Sequence, residues 1–251
     1  MSTVITSQKL AKFPGIKAVV STRSFGNQSF QHSSISEKET ILNRRRFFDK
    51  QGINADFVVN TGLSHEDKVY CARISDRGRG AMAKKTIIPN YDGLVTNNRN
   101  VFLMVTVADC FPIFYYDPKA NCIGIAHAGW RGVLNGISIN VIDEMKKVAG
   151  SKPEDIIVFI GPGIQACHFE VSIDLASQFE NAFGSEVIVS RGGNRYANLS
   201  MAIKSQLESS GINSCNIEIS SECTYCADGI LSSYRRDKGG YIAQAAVIGM
   251  I

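Results

Sequence analysis

Apolar and polar residues follow two periods along this chain, and the change of period marks out its elements. Residues 17–22 form a short run rich in β-branched side chains, while 37–50 read as a helix with Ile41, Phe47 and Phe48 as its apolar points. Strand signals concentrate in the centre: 101–107, 113–116, 122–126 and 156–160 are runs of β-branched and aromatic residues, each broken by a turn-former. Asp117-Pro118 is the turn between the second and the third. Beyond Gly129 and Gly132, apolar residues recur every three or four positions at Val133, Ile137, Val141, Met145 and Val148, and Gly150 follows. That pattern predicts one amphipathic helix with a glycine stop. Further helices are expected over 172–182 and 197–209, and a last strand near 241–248. Strands outnumber what strict β-α-β alternation gives, so the expected class is α+β (mixed α/β), a single domain of mixed sheets flanked by helices.

Length agrees with this. The 251 residues exceed a typical domain of about 150 residues but fall short of two, and neither a repeat nor a Pro-rich or Ser/Gly-rich linker divides them. We therefore read 1–251 as a single domain whose first 16 residues are loosely ordered. With 44% hydrophobic and 20% charged residues, the chain can build a core, which excludes fibres and disordered hubs. A net charge of +4 tolerates an anionic small molecule without announcing nucleic acid. The cluster Arg44, Arg45 and Arg46 reads as a solvated helix face. No apolar run reaches the roughly 18 residues of a membrane span, and the start lacks a signal-like segment, so a cytoplasmic location is expected. Seven cysteines, an odd number without the dense spacing of a disulfide framework, are read as reduced thiols.

Candidate chemistry centres on Cys110 and His127, because each stands where a predicted strand ends at a turn. A thiolate and an imidazole there suit either zinc ligation or a Cys/His nucleophile pair. The run Ala126-His127-Ala128-Gly129-Trp130-Arg131-Gly132 adds small residues, a helix start and a cation, a combination that attracts phosphate or carboxylate. Cys223 and Cys226 form a lone CxxC, and a structural zinc site of four cysteines would need a second such pair, so a redox pair or packing thiols are the readings left. Ser233-Tyr234-Arg235-Arg236-Asp237 sets two guanidiniums beside an aromatic ring, suited to an anionic or planar ligand. The phosphate loops, dinucleotide fingerprints and nucleophile elbows of kinases, dehydrogenases and serine hydrolases do not occur in the chain.

Taken together, YDGLVT (91–96), VADCFPIFYYDP (107–118), IAHAGWRG (125–132), GPGIQACHFEV (161–171) and CTYCADGILSSYRRD (223–237) resemble the bacterial YfiH-type family of polyphenol oxidase or laccase-domain proteins. The resemblance runs in order from about Lys17 to the C-terminus. It implies a zinc-dependent enzyme that phosphorolyses adenosine, inosine, guanosine and S-methyl-5'-thioadenosine and deaminates adenosine. The metal ligands it implies are Cys110, His127 and His65, the last from the segment Leu63-Ser64-His65-Glu66, which stands where relatives carry Gln-Val-His-Gly. Two neutral histidines and one thiolate would leave zinc an open fourth position, at which water is activated for deamination. Phosphorolysis needs cationic groups around phosphate, for which Arg131 and the helix start after Gly129 are the candidates. Arg23, in the segment Ser21-Thr22-Arg23, and Arg235 are the further expected substrate contacts. Asp92 is placed to orient a metal-bound water or a ribose hydroxyl, and Asp109 to point away from Cys110 towards backbone or supporting groups.

The chain also departs from the family. Relatives read Cys-Cys-Tyr-Glu-Val where this chain has Cys167-His168-Phe169-Glu170-Val171, and the extra imidazole is read first as a tolerated substitution. His32 falls in a divergent stretch and reads as a surface residue. The expected partners are a nucleoside and phosphate, with neither nucleic acid nor membrane, for a monomer or weak dimer. Three alternatives stay open. A Cu2+-dependent polyphenol oxidase is disfavoured by four histidines without HxH pairs. A Cys110/His127 hydrolase editing peptidoglycan precursors is the second. The third is a structural zinc domain in which His168 closes the site.

Overall fold

The computed structural model describes residues 4–32 and 34–251. Two six-stranded mixed sheets form its centre. The first runs β1 (Val4–Thr6), β2 (Ile16–Ser21), β15 (Gln244–Met250), β7 (Phe102–Val107), β3 (Val58–Gly62) and β5 (Ile88–Pro89). The second runs β14 (Ile217–Ile219), β10 (Ile157–Ile160), β8 (Phe111–Asp117), β9 (Cys122–Ala128), β6 (Gly93–Thr96) and β4 (Val69–Cys71). A small sheet of β11 (Glu170–Val171), β13 (Asn194–Ala197) and β12 (Ile188–Arg191) lies outside them.

Alternation along the strands explains how these sheets stack. In β7, Leu103, Val105 and Val107 join one core, with Ala246 and Ile248 of β15 and with Leu94, Phe114, Tyr116, Ile123 and Ile125 of the second sheet. The two sheets therefore pack face to face. The opposite set from the first sheet, Phe102, Met104, Ala245 and Val247, meets Phe47 and Phe48 of helix α1 (Glu37–Gln51). From the second sheet, Ile113, Tyr115, Cys122 and Ala126 meet helices α3 (Ile137–Ala149), α4 (Ile173–Phe183) and α5 (Leu199–Ser209). The result is a helix-sheet-sheet-helix sandwich with both faces of each central strand buried, and this is why those strands read as near-continuous apolar runs. Each such fully buried aliphatic side chain contributes about 1.5–3 kcal/mol.

The α+β expectation holds, with three local differences. The single helix expected from Val133 to Val148 is two: α2 (Trp130–Leu134) ends at Asn135, and Gly136, at φ 87°, turns the chain before α3 begins. The left-handed backbone there is the glycine conformation that a continuous helix cannot take. Arg44 is buried rather than solvated. Its guanidinium donates to the carbonyls of Gln28, Gly80 and Ala81 and to Asn60 Oδ1 and stacks on Phe30, so it ties α1 to two loops. Finally, residues 4–16 are held rather than loose: β1 pairs with β2, and Leu10 is buried. Residues 1–3 lie outside the described residues.

Candidate active site

Strand register assembles the site. In the β8-β9 pair Phe111 faces Ala128 and Pro112 faces His127, so Cys110, one residue before β8, lies beside the end of β9. On the other side of β9, Gly93 faces Ala126, which brings Asp92 opposite His127; the His127 amide donates to the Asp92 carbonyl at 2.7 Å. Val69 of β4 faces Gly93, so the loop that carries His65 reaches the same corner. Three residues far apart in sequence, His65, Cys110 and His127, thus place their ligand atoms within 4.8 Å of one another.

Asp92 holds this corner together. Fully buried, it accepts from His127 Nδ1 at 2.8 Å and from the backbone N–H groups of Ser64, His65 and Glu66, each at 3.0 Å, and from the Ser64 hydroxyl. Those bonds fix the loop in which His65 takes a left-handed φ of 60°. The carboxylate therefore positions two histidines and does not face the cavity, contrary to the expectation that it orients a water or a ribose hydroxyl. Burial alone would raise its pKa, but the hydrogen bond and charge of His127 and the loop amides bring it down to about 2. With Nδ1 committed to Asp92, Nε2 of His127 is left for a ligand.

Electrostatics within the cluster are strongly coupled. Burial works to raise the Cys110 thiol, yet His127, and after it His65, pull it to about 6, which favours the thiolate. His127 is pushed up to about 10, because Cys110 and Asp92 on either side outweigh its desolvation. In a protein without metal the pair is thus thiolate and imidazolium, and metal binding must displace the proton of His127.

Space has been left at the donors. A Cβ on Gly129 would come within 3.0 Å of Cys110 Sγ, 3.5 Å of His65 Cδ2 and 3.8 Å of His127 Cε1, so only glycine keeps this cradle open. The thiolate and two imidazoles are a borderline-soft donor set that fits zinc and accommodates copper. Among the described residues no further His, Cys, Asp or Glu joins the cluster, so it offers three donors.

The cluster borders a cavity of about 540 Å³, of a size suited to a small organic ligand. Trp130, Arg131, Phe169, Tyr234, Arg235 and Tyr241 line it with Asp109. Arg131 is exposed at the cavity, its guanidinium 4.2 Å over the Trp130 ring, and it forms no ion pair with any described residue. It heads a helix of only five residues, so the anion attraction expected of the helix start reduces largely to this one side chain. Arg235 lines the cavity too, but its guanidinium donates to the carbonyls of His168 and Glu170. Arg23 is not brought in: it pairs with Asp228 at 2.6 Å, outside the lining. Asp109 turns away from Cys110 as expected, through a left-handed φ of 78° rather than a continued pleat. It accepts from Thr224, Ser233 and the Arg235 amide.

Sequence reasoning picked out Tyr234 beside Arg235 but not the other aromatic lining residues, Phe169 and Tyr241, since isolated aromatics in loops carry no local periodicity. His32 is buried, not on the surface: Nε2 bonds the Tyr241 carbonyl at 2.8 Å and Nδ1 accepts from the Ser34 amide, so it braces the cavity wall. His168 does not close the first cluster; it sits with Cys167, Cys223 and Cys226.

Comparison with known proteins is now decisive, because one family model, the multi-copper polyphenol oxidoreductase laccase, matches residues 17–251. The chain belongs to this laccase-domain family. Within the family it is similar to the purine nucleoside phosphorylase YlmD of Bacillus subtilis, 30% identical over 87% of this chain and 80% of that protein. It is also similar to the purine nucleoside phosphorylase of Deinococcus radiodurans, 38% identical over 92% of this chain and 85% of that one. Among solved structures, the laccase-domain fold matches the hypothetical protein YfiH of Bacillus licheniformis with a TM-score of 0.93 at 28% identity, covering 100% of this chain and 97% of that one. YlmD of Geobacillus stearothermophilus matches with a TM-score of 0.90 at 28% identity, over 97% and 94%. No helix of the described residues is long and apolar enough to cross a membrane.

Proposed function

We propose that this chain is a zinc-dependent purine nucleoside phosphorylase acting on adenosine, inosine, guanosine and S-methyl-5'-thioadenosine, with adenosine deaminase activity at the same centre. The observation that carries the reading is the three-donor cluster of His65, Cys110 and His127, beside a cavity with aromatic walls and an arginine, Arg131, that forms no ion pair among the described residues. The names of the relatives support the choice of substrate class.

Each part of the cavity has a task in this reading. Phe169, Tyr234 and Tyr241 offer ring faces for a planar base. Arg131, without a carboxylate partner among the described residues, offers a planar cation to phosphate and stabilises the charge brought to C1′ of the ribose. Asp92 keeps His127 in one tautomer and holds the His65 loop, so both imidazoles stay aimed. When bound, zinc supplies Lewis-acid polarisation and activates water near neutral pH.

A multi-copper oxidase arrangement lacks the ligands it would need. Both ring nitrogens of His32 are engaged behind the cavity wall, and His168 belongs with three cysteines, which leaves a single two-histidine cluster. The test is a panel of nucleosides incubated with and without phosphate, with chromatography of the products. Free base and ribose 1-phosphate establish phosphorolysis, and inosine from adenosine establishes deamination. Neither product from any nucleoside overturns the proposal.

A further inference from the structure

A second group of metal-type side chains lies outside the first cluster. Cys167 and His168 end one loop, and Cys223 and Cys226 flank a tight turn in another. Cys223 is buried, Cys167 and His168 are half-buried and Cys226 is exposed. All four ligand atoms lie within 4.8 Å of one another. Sulfur separations are 3.5 Å for Cys167 to Cys223 and 3.7 Å for Cys167 to Cys226, and His168 Nδ1 is 3.2 Å from Cys167 Sγ and 3.3 Å from Cys226 Sγ.

Those distances decide between chemistries. A disulfide needs its sulfurs at about 2 Å, so none of the pairs is bonded. A tetrahedral zinc site with Zn–S near 2.3 Å and Zn–N near 2.05 Å has edges of about 3.8 Å between sulfurs and about 3.6 Å from sulfur to nitrogen. The four separations fall within about 0.4 Å of those edges.

We infer that Cys167, His168, Cys223 and Cys226 form a second, closed zinc site of the Cys3His type, which staples the 163–170 loop to the 223–237 loop behind the wall of the active-site cavity. On binding, three thiols release their protons to solvent, leaving the zinc-ligand unit with a net charge of −1. The surroundings are built for that charge. Backbone N–H groups of Gln165, Tyr225 and Cys226 point at the Cys223 sulfur. Arg236 holds the turn from above, donating to the carbonyls of Thr224 and Tyr225 at 2.7 Å each. Tyr225 stacks on the His168 ring at 3.9 Å and fixes its plane. With four protein donors this site has no open position, so its role is structural. The stapled loops carry Phe169 and Arg235 to the cavity, and the Arg235 amide bonds Asp109, the neighbour of Cys110. The second pair that a lone CxxC lacks is thus supplied by adjacent residues, Cys167-His168, and the imidazole replaces the fourth thiolate.

The test counts metal in protein purified without added metal, by plasma mass spectrometry. The Cys110→Ala variant, which disables the first cluster, is expected to retain one zinc per chain, and Cys110→Ala/Cys226→Ser none. To keep the test independent of any unfolding of the loops by the Cys226 change, cobalt is exchanged into Cys110→Ala itself. Intense visible bands of tetrahedral cobalt, with thiolate charge-transfer absorption in the near ultraviolet, are expected. A Cys110→Ala protein without zinc and without those bands overturns the inference, as does a Cys167 disulfide found by mass mapping of freshly alkylated protein. None of these readouts depends on nucleoside turnover, so failure of the proposed enzymatic function leaves this test intact.

Discussion

Asp92→Asn removes one oxygen from the most heavily bonded side chain of the site. The carboxylate accepts five hydrogen bonds, and an amide of the same shape must present NH2 where one oxygen stood. If the NH2 replaces Oδ2, it confronts the N–H groups of Ser64 and Glu66, leaving two buried donors unpaired at about 1–3 kcal/mol each. If it replaces Oδ1, it confronts His65 N–H and drives His127 to the tautomer protonated on Nε2, the nitrogen needed for metal. Either way the two histidines lose their aim. Loss of such a supporting carboxylate costs about 10–100-fold in metal affinity, or about 1.4–2.7 kcal/mol. Competition for zinc against a chromophoric chelator reads the affinity directly, and a thermal melt reads the loop. Affinity within threefold of wild type together with an unchanged melting temperature would refute the assigned role of Asp92.

Three further outcomes are expected. In protein stripped of metal, alkylation of Cys110 by iodoacetamide should run at half its maximal rate near pH 6, because the His127 charge lowers this thiol from its ordinary 9.0; the thiolate then persists above pH 6 and is lost only below it. His127→Ala should move that midpoint upward, and a wild-type midpoint near 9 contradicts the coupling. Arg131→Ala should raise the phosphate requirement strongly, read as KM for phosphate, while zinc content stays at the wild-type value; an unchanged KM removes Arg131 from the phosphate site. Arg44→Met leaves four buried acceptors without their donor, so the melt should fall by roughly 10 °C, from about 3–5 kcal/mol of lost stability, and a fall under about 2 °C contradicts the bracing role.

What was legible in the sequence was what local pattern controls. Runs buried on both faces announced β7, β8, β9 and β10, and the helices expected over 172–182 and 197–209 are α4 and α5, within two residues at each end. Cys110 and His127 stood out because each ends or begins a strand at a turn. The misreadings share a cause, which is that register and loop closure join residues that no local window contains. Asp92 looked like a ligand-facing carboxylate until the β6-β9 register placed it behind His127. Arg44 looked like a solvated face because its carbonyl partners come from residues 28, 80 and 81. Cys223-Cys226 looked incomplete because Cys167 lies 56 residues away from Cys223.

The central claim is that the His65, Cys110 and His127 cluster supports phosphorolysis of purine nucleosides in the adjoining cavity. It is tested most directly by phosphorus NMR of the zinc-loaded protein with inosine and inorganic phosphate, run beside Cys110→Ala. A ribose 1-phosphate signal that grows with wild type and is absent with the variant is predicted. A wild-type sample in which inorganic phosphate remains the sole phosphorus signal, or a variant that forms ribose 1-phosphate at the wild-type rate, would contradict the claim.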